Sequence, residues 1–464
     1  MAIAAPNIVF ILADDMGYGD VQRLNRNSVI PTPNLDSLAA DGMTFTDAHS
    51  SSGVCTPTRC SLLTGRYSWR TRLKSGVLNG YSEPLLAPGR ETFATVAAKA
   101  GYQTGIVGKW HLGLGFVKNA PQQIDFDAPL TSTPNDYGFG FSYVIPASLD
   151  FPPYVYIHNR DVTTSNMLEQ PAQKFPAFLR KGPRAEDLIM EDCLDHLTDQ
   201  AVGFIRESAS GDKPFLLYFP LTAPHKPALP HSRFRGKTNL GPYGDFVVQV
   251  DDTVGRILKT IDDAQVRDNT LVIFTSDNGS YMYRREGKDH SADASIQAFS
   301  PDHHTSNGPL RGTKADIWEA GHRVPFFARW PEAIRPLSTC DETVCSVDFL
   351  ATVADINDVE KPDSAVDGYS WLPFFREDPD AERPAPVIHH SGSGMFAIRS
   401  GKWKLVLGNG SGGREQPRGN RFERPYALFD LSTDIGEAQD LFAVRPEIAQ
   451  KLEQKCLEII GTDR

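Results

Sequence analysis

A few short stretches of this chain hold the residue types that attack electrophiles, move protons or bind metals. The densest is Cys55-Thr56-Pro57-Thr58-Arg59, continuing through Cys60-Ser61-Leu62-Leu63 to Thr64-Gly65-Arg66. A cysteine thiolate is a good nucleophile. Pro57 suits the first turn of a helix, so Cys55 should sit at a helix start. Helix-terminal N–H groups would then face both the nucleophile and any anion beside it. Two further pairs, Asp14-Asp15 and Asp277-Asn278, each follow an apolar run. They offer hard oxygens, which Ca²⁺ takes in sets of about six to eight, with Mg²⁺ as the alternative. Zinc would more often use His or Cys. Either pair alone is ordinary turn or cap chemistry. Both together, at two strand ends flanking the cysteine, point to a metal.

The elements that must position these residues alternate between strand and helix. Asn7–Ala13, Gln103–Val107, Phe215–Phe219 and Thr270–Thr275 read as buried strands. Helical spacing marks Pro33–Asp41, Thr92–Ala100, Glu186–Glu207 and Phe246–Ala264. The pattern predicts an α/β fold, a large mostly parallel sheet sandwiched by helices. Ligands then collect beyond the carboxyl ends of the strands. Near residue 375 the character changes. Glu377–Pro386 is rich in Pro and charge and reads as a linker. Beyond it lie short strands at Phe396–Arg399, Trp403–Leu407 and Tyr426–Asp430, a Gly-rich loop at Gly408–Arg424 and a helix at Pro446–Ile460. The expected division is a catalytic domain over 1–375 and a small α+β subdomain over 376–464.

The cysteine stretch, closed by Leu63-Thr64-Gly65, resembles the signature of type I sulfatases, in the alkaline-phosphatase-like superfamily. Gly108-Lys109-Trp110-His111, the Pro224-His225 element and Gly308–Lys314 with Trp318–Pro325 resemble further motifs of that family, in the expected order over residues 6–375. The resemblance implies that Cys55 is converted to formylglycine by a formylglycine-generating enzyme, and that one hydroxyl of its hydrate attacks sulfur. It implies Ca²⁺ held by Asp14, Asp15, Asp277, Asn278 and the residue at position 55. Arg59 would steady the formylglycine hydroxyl, and Lys109 and Lys314 would contact sulfate oxygens. Asp277 would orient or deprotonate the diol. His225 would protonate the leaving alcohol, a task that suits an imidazole, and His111 would help release sulfate. Thr58 stands where Ser is commoner in the family, and Cys60 where small residues are usual. Arg323 reads as a structural ion-pair former.

Two regions look like substrate loops. Asn135–Asp161 is aromatic around Asp150, which suits sugar faces and ordinary packing alike. Ser280–Asn307 is polar, with His290, His303 and His304. Asp150 and His304 are the expected substrate contacts there. Ser148–Tyr156 resembles polysaccharide-degrading sulfatases, which leans the reading to an exo-acting carbohydrate sulfatase, with 6-O-sulfated galactose or N-acetylgalactosamine as candidates. A phosphonate monoester or phosphodiester hydrolase of the same superfamily is the first rival. An unmodified, non-catalytic sulfoglycan-binding protein is the second.

A net charge of -11 argues against a nucleic-acid partner. A small basic pocket can still sit on an acidic protein, because screening limits distant charges to about 10 Å. Six cysteines in 464 residues do not make a disulfide framework. Cys340 and Cys345 are close enough to pair, and two reduced thiols are the plainer expectation. No run has the length of a membrane span, and no secretory signal is visible. The resemblance favours an exported protein, periplasmic or secreted, over a cytoplasmic one.

Overall fold

Apolar runs such as Ile8–Leu12 and Phe215–Phe219 need strands buried on both faces. The computed structural model, which describes residues 5–120 and 123–461, places them at the centre of a ten-stranded sheet. In chain order its strands are β1 (Asn7–Asp14), β2 (Met43–Phe45), β3 (Gln103–Lys109), β4 (Phe141–Ile145), β5 (Ile157–His158), β6 (Asp161–Val162), β7 (Phe215–Pro224), β8 (Thr270–Ser276), β9 (Phe326–Arg329) and β10 (Ser338–Cys340). The spatial order is β10-β2-β9-β8-β1-β7-β3-β4-β5-β6. The five central strands, β8-β1-β7-β3-β4, are mutually parallel. Antiparallel pairings on both flanks make the sheet mixed.

Side chains of β1 alternate between two cores, as the two-residue period of a strand requires. Ile8, Phe10 and Leu12 join a cluster with Leu62, Phe93 and Phe349. Those residues belong to α2 (Cys55–Thr64), α3 (Phe93–Lys99) and α6 (Phe349–Ile356). Val9, Ile11 and Ala13 join Leu35, Leu197 and Val254. These come from α1 (Pro33–Ala40), α4 (Cys193–Ala209) and α5 (Gly241–Asp263). Both faces of the central strands are thereby covered by helices.

Two helices differ from the sequence pattern. Helix α4 starts at Cys193 rather than Glu186. Leu188 is buried in the core and its carbonyl accepts from Arg184 Nη1 at 2.6 Å, while Ile189 is 55% exposed, so that stretch packs without continuing the helix. Helix α5 starts earlier than Phe246, with Pro242 in its first turn. Cys340 and Cys345 do not pair, and all six cysteines are buried free thiols. Among the described residues no helix is long and apolar enough to cross a membrane.

A separate four-stranded antiparallel sheet follows, built from Val387–His390, Phe396–Ser400, Trp403–Val406 and Ala427–Asp430 in that spatial order. Ile388, Ile398, Leu405 and Leu428 pack with Ala449, Leu452 and Cys456 of the last helix, Pro446–Gly461. Ala397, Val406 and Phe429 pack instead on Ile317 and Trp318. Between the two sheets lies a buried polar network. Lys404 Nζ meets Glu319 Oε1 at 3.0 Å and Glu437 Oε1 at 2.8 Å. Arg323 pairs with Asp47 at 2.9 Å and Glu319 at 3.3 Å, as its reading as an ion-pair former expects.

Candidate active site

Four strands deliver side chains to one place, the carboxyl edge of the parallel centre. Asp14 ends β1, and Asp15 follows in the left-handed region (φ 68°). Lys109 ends β3, and His111 turns away with φ 59°. His225 follows β7. Asp277 and Asn278 follow β8. Non-glycine residues at positive φ are uncommon and concentrate at functional sites. Gly108, beside Lys109, must be glycine: it has φ 125°, and a Cβ there would lie 1.9 Å from the Pro220 carbonyl.

Helix α2 supplies Cys55 as its first residue, two positions earlier than Pro57 suggested. Its N-cap, Val54, offers no side-chain acceptor. The first-turn N–H groups, which lack intrahelical partners, thus remain available at the position of Cys55. All ten residues of the helix are buried, and Arg59 is wholly inaccessible.

The charges interlock. Arg59 donates to Asp277 Oδ2 from Nε at 3.0 Å and from Nη2 at 2.8 Å, and to the Lys109 carbonyl at 3.0 Å. Lys109 Nζ donates to both oxygens of Asp14, at 2.9 and 2.7 Å. Lys314 Nζ lies 2.5 Å from Asp15 Oδ1 and 3.4 Å from Cys55 Sγ. Cys55 Sγ is 3.7 Å from Asp14 Oδ1. Asn278 Nδ2 donates to Asp15 Oδ1 at 2.7 Å. Asp15 Oδ2 and Asn278 Oδ1 are buried without any hydrogen-bond partner. Two orphaned oxygens, with Asp14 and Asp277 beside them, fit a hard divalent cation. Ligand atoms of Asp14, Asp15, Cys55 and His225 all lie within 4.8 Å of one another.

Burial dominates the ionisation of the group. It pushes the Cys55 thiol up to about 12, although Lys109 and Lys314 pull the other way. It likewise raises Asp14, against Lys109. Asp277 moves down: burial opposes this, but Arg59, Lys109 and Lys314 outweigh it. His225 is held well below 6.5 by burial and then by Lys314 and Lys109, and His111 by burial and Lys109. His225 Nε2 points at Asp15 Oδ2, 3.5 Å away, while its Nδ1 is bonded to the Lys226 carbonyl. His111 Nε2 lies 2.8 Å from the Leu78 carbonyl, which fixes its hydrogen there. Its Nδ1 is left as a buried acceptor with no partner.

The substrate-loop residues have other company. Asp150 is buried and paired with Arg180 at 2.5 Å, with Oδ1 unpartnered. The Arg180 guanidinium lies 3.9 Å over Phe151. His304 Nε2 meets Asp20 Oδ1 at 2.9 Å, in a buried network where Tyr243 also donates to Asp20. His290 faces the Ile296 carbonyl, and His303 faces Asp289. The three histidines therefore do not gather. Of the aromatic residues around Asp150, Tyr137, Phe139, Tyr143, Tyr154 and Tyr156 are buried in the cores rather than presented as a platform. Sequence reasoning passed over the partners Arg180 and Asp20, since nothing local marks a residue whose contact is far along the chain.

A cysteine at a helix start, oxygen donors at two strand ends and lysines on both sides, all on an α/β sheet of this kind, define an ester hydrolase of alkaline-phosphatase-like architecture. Residues 6–359 match the family model described as Sulfatase. The chain is 32% identical to an N-acetylgalactosamine-6-O-sulfatase of Bacteroides thetaiotaomicron, over 98% of this chain and 93% of that protein. It is 31% identical to arylsulfatase A of Homo sapiens, over 98% and 88%. A solved structure from a study of glycosaminoglycan metabolism by Bacteroides thetaiotaomicron superposes with a TM-score of 0.87 at 30% identity, covering 99% of this chain and all of that one. The chain belongs to the sulfatase family.

Proposed function

We propose that this sulfatase is a formylglycine- and Ca²⁺-dependent, exo-acting carbohydrate sulfatase that removes 6-O-sulfate from galactose or N-acetylgalactosamine. The sugar assignment is supported by relatives named as N-acetylgalactosamine-6-sulfatases, from Bacteroides thetaiotaomicron and from mammals. The observation that carries the chemistry is the state of Cys55. Its thiol sits at the focus of two lysines and a helix N-terminus, yet burial pushes it up to about 12. The helix N-terminus and the lysines favour a developing anion at this position, which suits the hydroxyl that attacks in the formylglycine reading.

Formylglycine at position 55 would supply that hydroxyl, delivered by a maturation enzyme. Ca²⁺, when held by Asp14, Asp15, Asp277 and Asn278 with the residue at 55, would supply positive charge to the nucleophile and to a sulfate oxygen. The remaining work falls to the chain's own side chains. Arg59 fixes the Asp277 carboxylate, so that its oxygens stay oriented on the site. Lys109 and Lys314 offset charge on the sulfuryl oxygens as the S–O bond breaks. His225 gives the proton on Nε2 to the departing sugar oxygen. His111, with Nε2–H tied to Leu78, accepts a proton at Nδ1 from the hydroxyl at position 55. Export to the periplasm or outside the cell accords with a glycan substrate, and residues 376–464 are read as a subdomain packed on the catalytic part.

The test has two arms. Intact mass should show Cys55 having lost one sulfur and two hydrogens and gained one oxygen. Cys55→Ala should abolish hydrolysis of nitrophenyl sulfate and of 6-sulfated sugars, while Cys60→Ala retains most of it. An unmodified Cys55 in matured protein points to the sulfoglycan-binding reading. Faster turnover of a nitrophenyl phosphate diester than of any sulfate ester points to the phosphodiesterase reading.

A further inference from the structure

Beside the candidate site is a cavity of about 320 Å³ whose lining includes Lys226, Arg285, Lys288 and Arg414, with Tyr283 and Gln297 between them. Four cations and no acidic side chain line it, on a protein with a net charge of -11. Such a lining runs against the average of the surface. Like charges gathered in one cleft repel one another, and an anion relieves the repulsion.

None of the four makes an ion pair among the described residues. Lys226 follows His225 directly and lies 4.9 Å over the Phe178 ring; it makes no ion pair among the described residues. The nearest carboxylates are already engaged, Asp15 by Lys314 and Asp150 by Arg180. Arg414 has a buried Nη1 with no partner. Burial lowers Lys226 from its ordinary range, and Arg414 and then Lys314 lower it further.

Arg414 is not on a loose loop. The Glu415 N–H donates to Asp316 Oδ1 at 3.0 Å, and the Arg414 N–H donates to the same oxygen. A Cβ at Gly413 would lie 2.3 Å from the Ala315 carbonyl, so this glycine lets the loop lie flat against the segment that carries Lys314. The C-terminal region thus carries a guanidinium to the mouth of a site otherwise built by the large sheet.

We propose that this cavity binds a second anionic group of the substrate, a carboxylate or a sulfate, borne by the sugar that carries the scissile ester or by its neighbour. The enzyme then selects polyanionic glycans over singly charged sulfate esters. The planar fork of Arg414 suits either group. This rests on the sulfatase reading and deepens it.

The experiment compares kcat/KM on four substrates: nitrophenyl sulfate, a 6-sulfated monosaccharide, a disulfated monosaccharide, and the 6-sulfated sugar linked to a hexuronate. Wild-type protein should prefer one or both of the last two. Which of them is preferred tells sulfate from carboxylate. In Arg414→Gln and Lys226→Gln the ratio of doubly to singly charged substrate should fall about tenfold or more, chiefly through KM, as loss of a charge-assisted hydrogen bond implies. Arg414→Lys should recover part of it. Arg285→Gln, at an exposed position, gives the same readout if the other variants fail to fold. Equal kcat/KM on singly and doubly charged substrates, or variants that leave the ratio unchanged, overturns the proposal while the sulfatase reading stands. No hydrolysis of any sulfate ester by matured protein overturns that reading itself.

Discussion

Protonation by His225 can be separated from sulfate binding. Nδ1 faces the Lys226 carbonyl, so it keeps its hydrogen, and Nε2 is the atom that gains or loses a proton. Burial, with Lys314, Lys109 and Lys226, holds the group well below 6.5. Fewer than about one molecule in four therefore carries the acid proton at pH 7 before substrate arrives. A sugar alkoxide leaves poorly and needs that proton, whereas nitrophenolate needs little help. For a sugar sulfate, kcat/KM should fall as pH rises, approaching tenfold per pH unit above the folded pKa. For nitrophenyl sulfate the same limb should be shallow. His225→Ala should cost the sugar substrate about 10²–10⁴-fold at the acid end and flatten its profile. Loss on nitrophenyl sulfate should be far smaller. The assay is sulfate release from both substrates, from below pH 6 to about pH 8, with wild type and variant. The same loss and the same slope on both substrates refutes the assignment. His225 would then act on the sulfuryl group, which the two substrates share.

Chelation with EGTA should abolish hydrolysis, with Ca²⁺ restoring it better than Zn²⁺ and Asp277→Asn lowering the measured Ca²⁺ content; full activity in metal-free protein sinks the oxygen-donor site. Lys404→Met leaves the buried Glu437 without its cation and Glu319 with only its longer contacts to Arg323 and Arg399, at a cost of about 3 kcal/mol in urea unfolding. Lys404→Met with Glu437→Gln should recover part of that, and a single-variant loss under about 1 kcal/mol refutes a structural role for the buried pair. His390, pushed down to about 4 by burial, is neutral in the fold, while the unfolded chain takes up a proton below about 6.5. Its contribution, present above pH 6.5, is lost as pH falls to about 4 and amounts to about 3 kcal/mol; wild type and His390→Gln should differ in acid stability over that window.

What the sequence made legible follows from where information is local. The ends of β1 and β8 read as metal-binding because apolar run and acidic pair are contiguous, and parallel pairing of the two strands then brings Asp15 and Asp277 together. The central strands were readable since burial on both faces leaves an unbroken apolar run. The flanking antiparallel strands are as short as two or three residues, and no periodicity survives at that length. The first turns before α4 misled for a related reason: Leu188 and Ile189 keep helical spacing, but Arg184 captures the Leu188 carbonyl instead.

Partners far along the chain were hidden. Lys109 reaches Asp14 across 95 positions, and Lys314 reaches Asp15 across 299. Motifs can name each lysine and each carboxylate, yet only the fold shows that these lysines hold the two carboxylates expected to bind metal. This pairing has a physical purpose. Without the lysines, three carboxylates and an amide would face one another in a buried site. With them, the cations proposed to offset sulfate charge also balance the carboxylates. Arg414 extends the logic outward. It arrives from a loop legible only as Gly-rich, held there by Asp316 and Gly413. Lys314 stands between these two zones, inner carboxylates and outer cations. Any change in the outer charge should therefore be felt at position 55, which is why the comparison of substrates, rather than the rate on one, is the informative measurement.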